Sequence, residues 1–303
     1  MKLMSAQERF ASLARQDLVI VGSGSGKSRG VMTSLREIFS NREMLSLLIR
    51  RDLKSRYKDS ALGFVWTLVR PLTQLFIYYF VIGQFLSAAR AIPDFAIYVF
   101  TGLTAYGLFS EIVSNGTSSI VGNAGLIKKI YLPREIFPLA CVGSAIFNFL
   151  NQFLILIVAT IALGVFPATA DVVYLVPALL VLLVFGTAFG VLLSAVNVYL
   201  RDVQYLVEVL LLLALWASPV VYSWEMVKGH LGQGLALEIY TNNPITLSVL
   251  GFQRALWTGG HGVVEAPADL MLRLAIALVV GLVFLVASQR VFARLQGNFA
   301  QAL

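Results

Sequence analysis

Apolar residues occur along this chain in long blocks separated by short polar segments. About 20 apolar residues in a helix cross the ~30 Å hydrocarbon core of a membrane, and we identify six blocks near that length. They cover residues 62–86, 95–114, 136–165, 172–198, 206–222 and 270–288, the fifth being short. The blocks lack the alternating pattern of membrane barrel strands. The pattern predicts an all-α membrane protein with six transmembrane helices in one domain, residues 61–290.

A different periodicity precedes the first block, in residues 34–60. Apolar residues return there at roughly helical spacing, and basic residues occupy much of the remaining surface. Ser34 and Glu37 form a capping-box pattern that would begin a helix. We expect an amphipathic helix in the inner membrane interface, in contact with membrane lipids. The pattern leaves open whether this helix is a simple anchor or a lever joined to the first span.

Two connecting segments also carry apolar faces. Between the second and third blocks, SSIVGNAGLIKKIYLPRE is short and basic, and we expect a small helix along the inner surface that ends at Pro133. Residues 223–268 form a long connection before the last block. Within it, NPITLSVLGFQRALW predicts a helix that dips partly into the membrane. We therefore expect short outer helices between the fifth and sixth spans.

Composition and charge agree with this topology. Hydrophobic residues make up 58% of the chain, and charged residues only 13%, about half the share of a soluble domain. With the N-terminus inside, 18 of the 23 Lys and Arg residues fall in cytoplasmic segments. This predicts two cytoplasmic termini, a flexible extension at residues 1–33 and a tail at residues 291–303. The topology also explains the net charge of +7 without nucleic-acid binding.

The stretch GSGSGKS near the N-terminus looks like a phosphate-binding loop. Such a loop needs Gly, four residues and then Gly-Lys-Ser or Gly-Lys-Thr, between a strand and a helix. The first glycine would fall at Val21, and the membrane domain begins too soon for a supporting parallel sheet. We interpret the stretch as a flexible connection and expect neither a cofactor nor a metal on this chain.

Four stretches, in order along residues 34–290, together resemble the ABC-2 type transport permeases. LLIRRDLKSRYKDSALGFVWTLVRPL is similar to their cytoplasmic helix and first-span entry. GLIKKIYLPREIFPLA is similar to the loop before their third span, and NVYLRDVQYLVEVLLLLALWASPVVY to the turn between their fourth and fifth spans. NPITLSVLGFQRALW is similar to the Asn-Pro segment before their last span. The most similar branch exports polysaccharides and teichoic acids and is often called Wzm- or TagG-like.

This resemblance implies a homodimer that works with two copies of a separate ABC ATPase, which would bind ATP and Mg. It implies export of a polyprenyl-diphosphate-linked glycan, of O-antigen, galactan or teichoic-acid type, across the bacterial inner membrane. The chain itself would not be an enzyme. The resemblance also implies that a short helix at residues 119–134 docks on the ATPase. The expected ATPase contacts are Ile120, Leu126, Ile127, Lys128, Lys129, Tyr131 and Arg134.

A glycan pathway calls for aromatic platforms with polar rims, because sugar rings present apolar C–H faces and polar edges. The candidates are Trp66, Tyr98, Tyr106 and Phe109, with an interfacial belt or helix packing as the alternative. Arg70 and Glu111 also lie within spans, where a central charge costs about 2.5–3.5 kcal/mol and should face protein or water. We expect both in the inner half of the membrane, paired or flanking a diphosphate entry site. Snorkelling of Arg70 to the inner surface is the alternative.

Two other functions stay open from the sequence. One is an ABC-2 efflux permease for a drug or a lipid, which a neighbouring gene for a sugar-binding ATPase would argue against. The other is a membrane glycosyltransferase, which would use acidic residues in an aqueous loop to hold a metal or act as a base. The acidic residues of the outer segment are scattered, with no close pair.

Overall fold

The computed structural model describes residues 31–57, 65–85, 92–129 and 132–303. Its α-helices are α1 (Val31–Ser40), α2 (Arg42–Tyr57), α3 (Val65–Ile77), α4 (Phe95–Gly122), α5 (Ala124–Ile127), α6 (Ile136–Ala162), α7 (Leu175–Tyr199), α8 (Val203–Trp216), α9 (Trp224–Leu231), α10 (Leu235–Thr241), α11 (Pro244–Leu256), α12 (Leu270–Leu295) and α13 (Phe299–Ala302). A π-helical segment, Tyr78–Phe85, continues α3. Short 3₁₀ turns lie at Ala170–Tyr174, Thr258–Gly260 and Gln296–Asn298. No β-strand occurs among the described residues.

Four helices of the described chain are long and apolar enough to cross a membrane, namely α4, α6, α7 with its preceding 3₁₀ turn, and α12. They correspond to the second, third, fourth and sixth predicted spans. The first and fifth predicted spans correspond to α3 and α8, which are shorter. Helix α8 ends at Trp216 because Pro219 follows in the next turn and cannot continue a helix. The chain is thus an all-helical protein of the membrane class, and the count of six spans remains a proposal.

Helix α4 is the centre of the bundle and is buried along most of its length. It packs against α6, α7, α8 and α11. It approaches α7 closely at Gly116, where a built Cβ atom would lie 2.8 Å from the Cα atom of Gly190. Small residues let helix backbones come this close, which is a common packing mode inside membranes. Two glycines therefore set the spacing of the two central helices.

Helix α11 fills the space beside α4 and α7. Pro244 occupies its first turn, and the Asn243 side chain accepts a 3.0 Å hydrogen bond from the backbone N–H of Ile245. Such a start suits a helix, because proline lacks an N–H group and asparagine satisfies a free one. Most of α11 is buried, and Phe252 is fully so. The segment predicted to dip into the membrane is a helix enclosed by protein.

The antiparallel order of the long helices brings residues 42–57, 119–129, 132–137 and 292–303 to one end of the bundle, here called the basic end. Residues 34–60 were predicted as one amphipathic helix, and their described part instead belongs to two helices, α1 and α2, separated at Asn41. The predicted capping box is wrong, because Ser34 lies inside α1 and not before it. Helix α2 packs on α6, and its Leu48 is buried. It therefore contacts the bundle as well as any lipid.

Candidate functional site

A cleft of about 860 Å³ opens between α3, α4 and α6. It is lined by Trp66, Pro71 and Gln74 of α3, by Phe100, Leu103, Tyr106, Gly107, Ser110, Glu111, Ser114 and Asn115 of α4, and by Asn148 and Gln152 of α6. The α4 residues recur three or four positions apart, which places them on one face of that helix. We call this space the polar cleft, since amide, hydroxyl and carboxylate groups form much of its wall.

Glu111 is the charged residue in the wall of the polar cleft. Asn148 Nδ2 donates a 2.6 Å hydrogen bond to Glu111 Oε1, and Asn115 Nδ2 lies 3.5 Å from the same oxygen. Asn115 follows Glu111 by one helical turn, so both reach the cleft from α4. The carboxylate is thus held by amide groups from two helices, as expected for an ionisable residue within a span.

One hydrogen-bonding atom of the Asn148 side chain is not used within the described part of the chain. Its Oδ1 atom is buried and accepts no hydrogen bond from the described residues. A buried acceptor left unsatisfied costs about 1–3 kcal/mol, and ordered water or a ligand can supply the missing donor. The Asn148 amide is therefore only partly satisfied by the described residues.

The polar cleft also offers ring surfaces. Trp66 is 54% exposed, whereas Phe100 and Tyr106 line the wall but are mostly covered. The Tyr106 hydroxyl donates to the backbone carbonyl of Leu211 in α8, so it is already occupied. Rings beside amides and a carboxylate provide both kinds of contact that a sugar needs, ring faces for its C–H groups and acceptors for its hydroxyls.

The structure brings together three of the predicted pathway residues, Trp66, Tyr106 and Glu111. Tyr98 is instead buried in the core, where its hydroxyl donates to the carbonyls of Pro219 and Tyr222 at 2.9 and 2.7 Å. Phe109 is also buried, packed edge-on against Phe189 with ring centroids 6.2 Å apart. Tyr98 and Phe109 thus do not line the polar cleft, and a pathway role for them stays a prediction.

Arg70 belongs to α3, but its side chain lies outside the described residues. The predicted pairing with Glu111 is therefore not described by the structure, and Asn148 is a Glu111 partner that the sequence did not suggest.

Most of the polar cleft was missed by the sequence analysis. The unpredicted polar members are Gln74, Ser110, Ser114, Asn115, Asn148 and Gln152. A signal was present, because Ser110 and Ser114, and Asn148 and Gln152, are pairs of uncharged polar residues one turn apart inside apolar blocks. Polar side chains within a span face protein or water and mark functional surfaces. The predicted pathway residues were charged or aromatic, and these uncharged polar pairs were not among them.

The predicted ATPase-docking segment differs in form from the expectation. Residues 119–122 are the last turn of α4, and a separate short helix begins only at Ala124. Ile120 is fully buried at the basic end, and Leu126 and Ile127 are half-buried against the same cluster. The described apolar residues of this segment are thus covered by the chain itself fully at Ile120 and partly at Leu126 and Ile127.

The basic residues of the same segment are divided. Lys128 and Lys129 are exposed. Arg134 lies over the ring of Phe299, with its guanidinium carbon 5.5 Å from the ring centroid. Tyr131 lies outside the described residues. Among the described predicted contacts, Lys128 and Lys129 are exposed, whereas Leu126, Ile127 and Arg134 are half-buried.

The opposite end of the bundle carries the short helices α9 and α10 and the acidic residues of the outer segment. Arg273 forms a 2.6 Å ion pair with Glu238, and this bond holds the pKa of the Glu238 carboxyl below its usual value. Lys228 pairs with Glu265. The first pair therefore ties α10 to α12, and the second ties α9 to the connection that precedes α12.

Comparison with known proteins matches residues 43–257 to the family described as ABC-2 type transporter. The O-antigen export system permease protein RfbA of Myxococcus xanthus is 29% identical over 269 residues, which is 89% of this chain and 98% of that protein. A protein of the same name from Klebsiella pneumoniae is 27% identical over 263 residues, 86% of this chain and 95% of its own. The polysialic acid transport protein KpsM of Escherichia coli is 28% identical over 81 residues, 26% of this chain and 31% of KpsM.

Proposed function

The chain belongs to the ABC-2 type transporter family, and on that premise we propose that it is the membrane permease subunit of a polysaccharide exporter. One observation carries the choice of substrate class: two relatives named as O-antigen export permeases are similar over 86–89% of the chain. We propose that the exported molecule is a polyprenyl-diphosphate-linked glycan of O-antigen, galactan or teichoic-acid type. The permease offers a route and need not form or break a covalent bond.

We further propose that the permease is a homodimer driven by two copies of a separate ATPase, which bind ATP and Mg. The location is the bacterial inner membrane, with both termini and the basic end in the cytoplasm. The distribution of Lys and Arg supports this orientation, because cytoplasmic loops carry an excess of these residues. The exposed Lys128 and Lys129 at the basic end are suited to contact the ATPase.

The polar cleft is the proposed contact surface for the glycan. Along α4, Tyr106 lies about 16 Å and Asn115 about 30 Å from Phe95, at ~1.5 Å per residue. The polar face thus lies towards the basic end, where a cytoplasmic substrate would enter. Glu111 provides a hydrogen-bond acceptor there, and Trp66 provides an exposed ring.

Depletion of the chain in the producing bacterium tests the export claim. We expect a lipid-linked glycan to accumulate in the cytoplasm and to disappear from the cell surface. An unchanged surface glycan, with no accumulated lipid-linked intermediate, would reject the proposal. Mass spectrometry of the accumulated lipid would identify the glycan.

A matched pair of variants on α6 tests the role of the polar cleft. Asn148→Leu removes the amide that holds Glu111, whereas Asn151→Leu makes the same change at an amide that does not line the cleft and bonds within its own helix. We expect Asn148→Leu to slow export about tenfold, the effect of ~1.4 kcal/mol, and Asn151→Leu to leave it unchanged. Membrane levels of both variants, measured by immunoblot, provide the control. If the two variants export equally well at equal membrane levels, the polar cleft is not part of the glycan pathway.

A further inference from the structure

The C-terminal residues do not leave the bundle after α12 but turn back onto it. The chain passes through a 3₁₀ turn at Gln296–Asn298 into α13, and Phe299 at the start of α13 is fully buried. If the last residues made no contact with the bundle, an aromatic side chain at this position would be exposed to water. Burial of Phe299 shows that the last residues are docked.

The docking site for Phe299 is built by the ends of α7 and α12. The rings of Phe292 and Phe299 meet edge to face, with centroids 5.5 Å apart and planes at 90°. The Tyr199 ring lies 6.1 Å away from Phe299, and the Tyr199 hydroxyl donates a 2.7 Å hydrogen bond to the carbonyl of Leu295. Aromatic pairs prefer such edge-on contacts. The turn is therefore fixed by specific geometry as well as by burial.

The same turn contacts the residues that precede α6. The Arg134 guanidinium carbon lies 5.5 Å from the centre of the Phe299 ring, within the range of a cation–π contact. Gln296 Nε2 donates a 3.4 Å hydrogen bond to Oε1 of Glu135, which is buried. Arg134 and Glu135 stand where the predicted ATPase-docking segment enters α6. The C-terminal turn thus contacts the end of that segment directly.

A shared apolar cluster extends these contacts to the start of the segment. Phe292 and Phe299 belong to one cluster with Ile120, Ile136 and Leu48. Ile120 is in the last turn of α4, and Leu48 is in α2. The C-terminal turn therefore shares one apolar cluster with residues of α2, α4 and α6.

We propose that residues 296–303 are a clamp that positions the coupling segment, defined here as residues 119–129 and 132–134. The clamp holds the described ends of this segment against α4 and α6. Movement imposed on Lys128 and Lys129 is then passed to those helices and is not lost as local motion of the connection. Its contribution to transport rests on the proposed function, since it assumes an ATPase that pushes on the segment.

Hydrogen exchange on the full-length permease tests the clamp without reference to transport. Phe299→Ala removes the ring that packs against Phe292, Tyr199 and Arg134, and Phe299→Leu keeps an apolar side chain there. Gln301→Ala, at an exposed position of α13, is the control. We expect Phe299→Ala to speed amide exchange in residues 119–137 by about tenfold, equivalent to ~1.4 kcal/mol of local opening, and to leave α9–α11 unchanged. Phe299→Leu should restore most of the protection.

Unchanged exchange in residues 119–137 would overturn the proposal. Equally faster exchange at both ends of the bundle would also overturn it, since that result describes general loss of stability. In the complex with its ATPase, Phe299→Ala should raise the number of ATP molecules hydrolysed per glycan exported, whereas Gln301→Ala should not. An unchanged ratio would refute the transmission role. If the wild-type complex exports no glycan, the proposed function fails, and the exchange experiment still decides whether the clamp exists.

Discussion

Gly116→Ala tests the close packing of the two central helices. The new Cβ atom would lie 2.8 Å from the Gly190 Cα atom, whereas carbon atoms in favourable contact are about 3.5–4.0 Å apart. Gly190 presents backbone there, so no side chain can rotate away and α4 must move from α7 by roughly 1 Å. Overpacking of this kind costs about 1–3 kcal/mol. Because α4 carries the polar cleft and leads into the coupling segment, export should fall as well.

Gly122→Ala is the matched control on the same helix. A Cβ atom at Gly122 meets nothing within 4 Å, so alanine should be neutral or stabilise the helix by up to about 1 kcal/mol. The assay is the free energy of unfolding in mixed detergent micelles, measured for both variants and the wild type. The packing argument is refuted if Gly116→Ala is as stable as the wild type or gains as much stability as Gly122→Ala.

Three further changes address other parts of the molecule. Trp257→Phe removes the 2.7 Å hydrogen bond from the indole N–H to the Pro93 carbonyl, so we expect a loss of about 1–3 kcal/mol in the same unfolding assay; an equal midpoint would contradict it. The hydrogen bond from Arg273 lowers the pKa of Glu238 in the folded protein below its ordinary value of 4.5. The folded state is therefore stabilised above pH 4.5, and this stabilisation is lost as pH falls through the lower folded pKa. Thermal stability should therefore fall more steeply below about pH 4.5 in the wild type than in Glu238→Gln, and parallel curves would contradict the pairing. Tyr106→Phe leaves the Leu211 carbonyl without this donor and should loosen α8 from α4, seen as faster amide exchange in α8; unchanged exchange would exclude that role.

The long helices could be predicted because their signal is local. Helices α4, α6, α7 and α12 each arise from one long apolar block. Such a block can be recognised in the sequence without knowledge of tertiary contacts. Their ends were less predictable. Helix α4 continues to Gly122 since polar residues such as Asn115 and Ser119 face protein partners or their own helix, and polarity therefore does not end the span.

The site residues depended on contacts between distant parts of the chain. Tyr98 was predicted to line an aromatic pathway. In the structure its hydroxyl donates a hydrogen bond to the carbonyl of Pro219, which is far along the sequence. Arg134 is a predicted polar contact of the ATPase, and in the structure its guanidinium group lies over Phe299 of the C-terminal turn. Neither partner is signalled by spacing or periodicity around the residue itself. In contrast, Glu111 could be found, since a carboxylate within an apolar block demands a partner or water wherever it lies.

The most direct test of the account is ATP-dependent glycan movement in inverted membrane vesicles that contain this chain and its ATPase. In such vesicles the cytoplasmic face is outside, so exported glycan enters the lumen and becomes protected from a membrane-impermeant oxidant. We predict that protection requires ATP, the ATPase and this chain. Protection that proceeds without this chain, or none when all three are present, would contradict the proposal that the chain is a polysaccharide export permease.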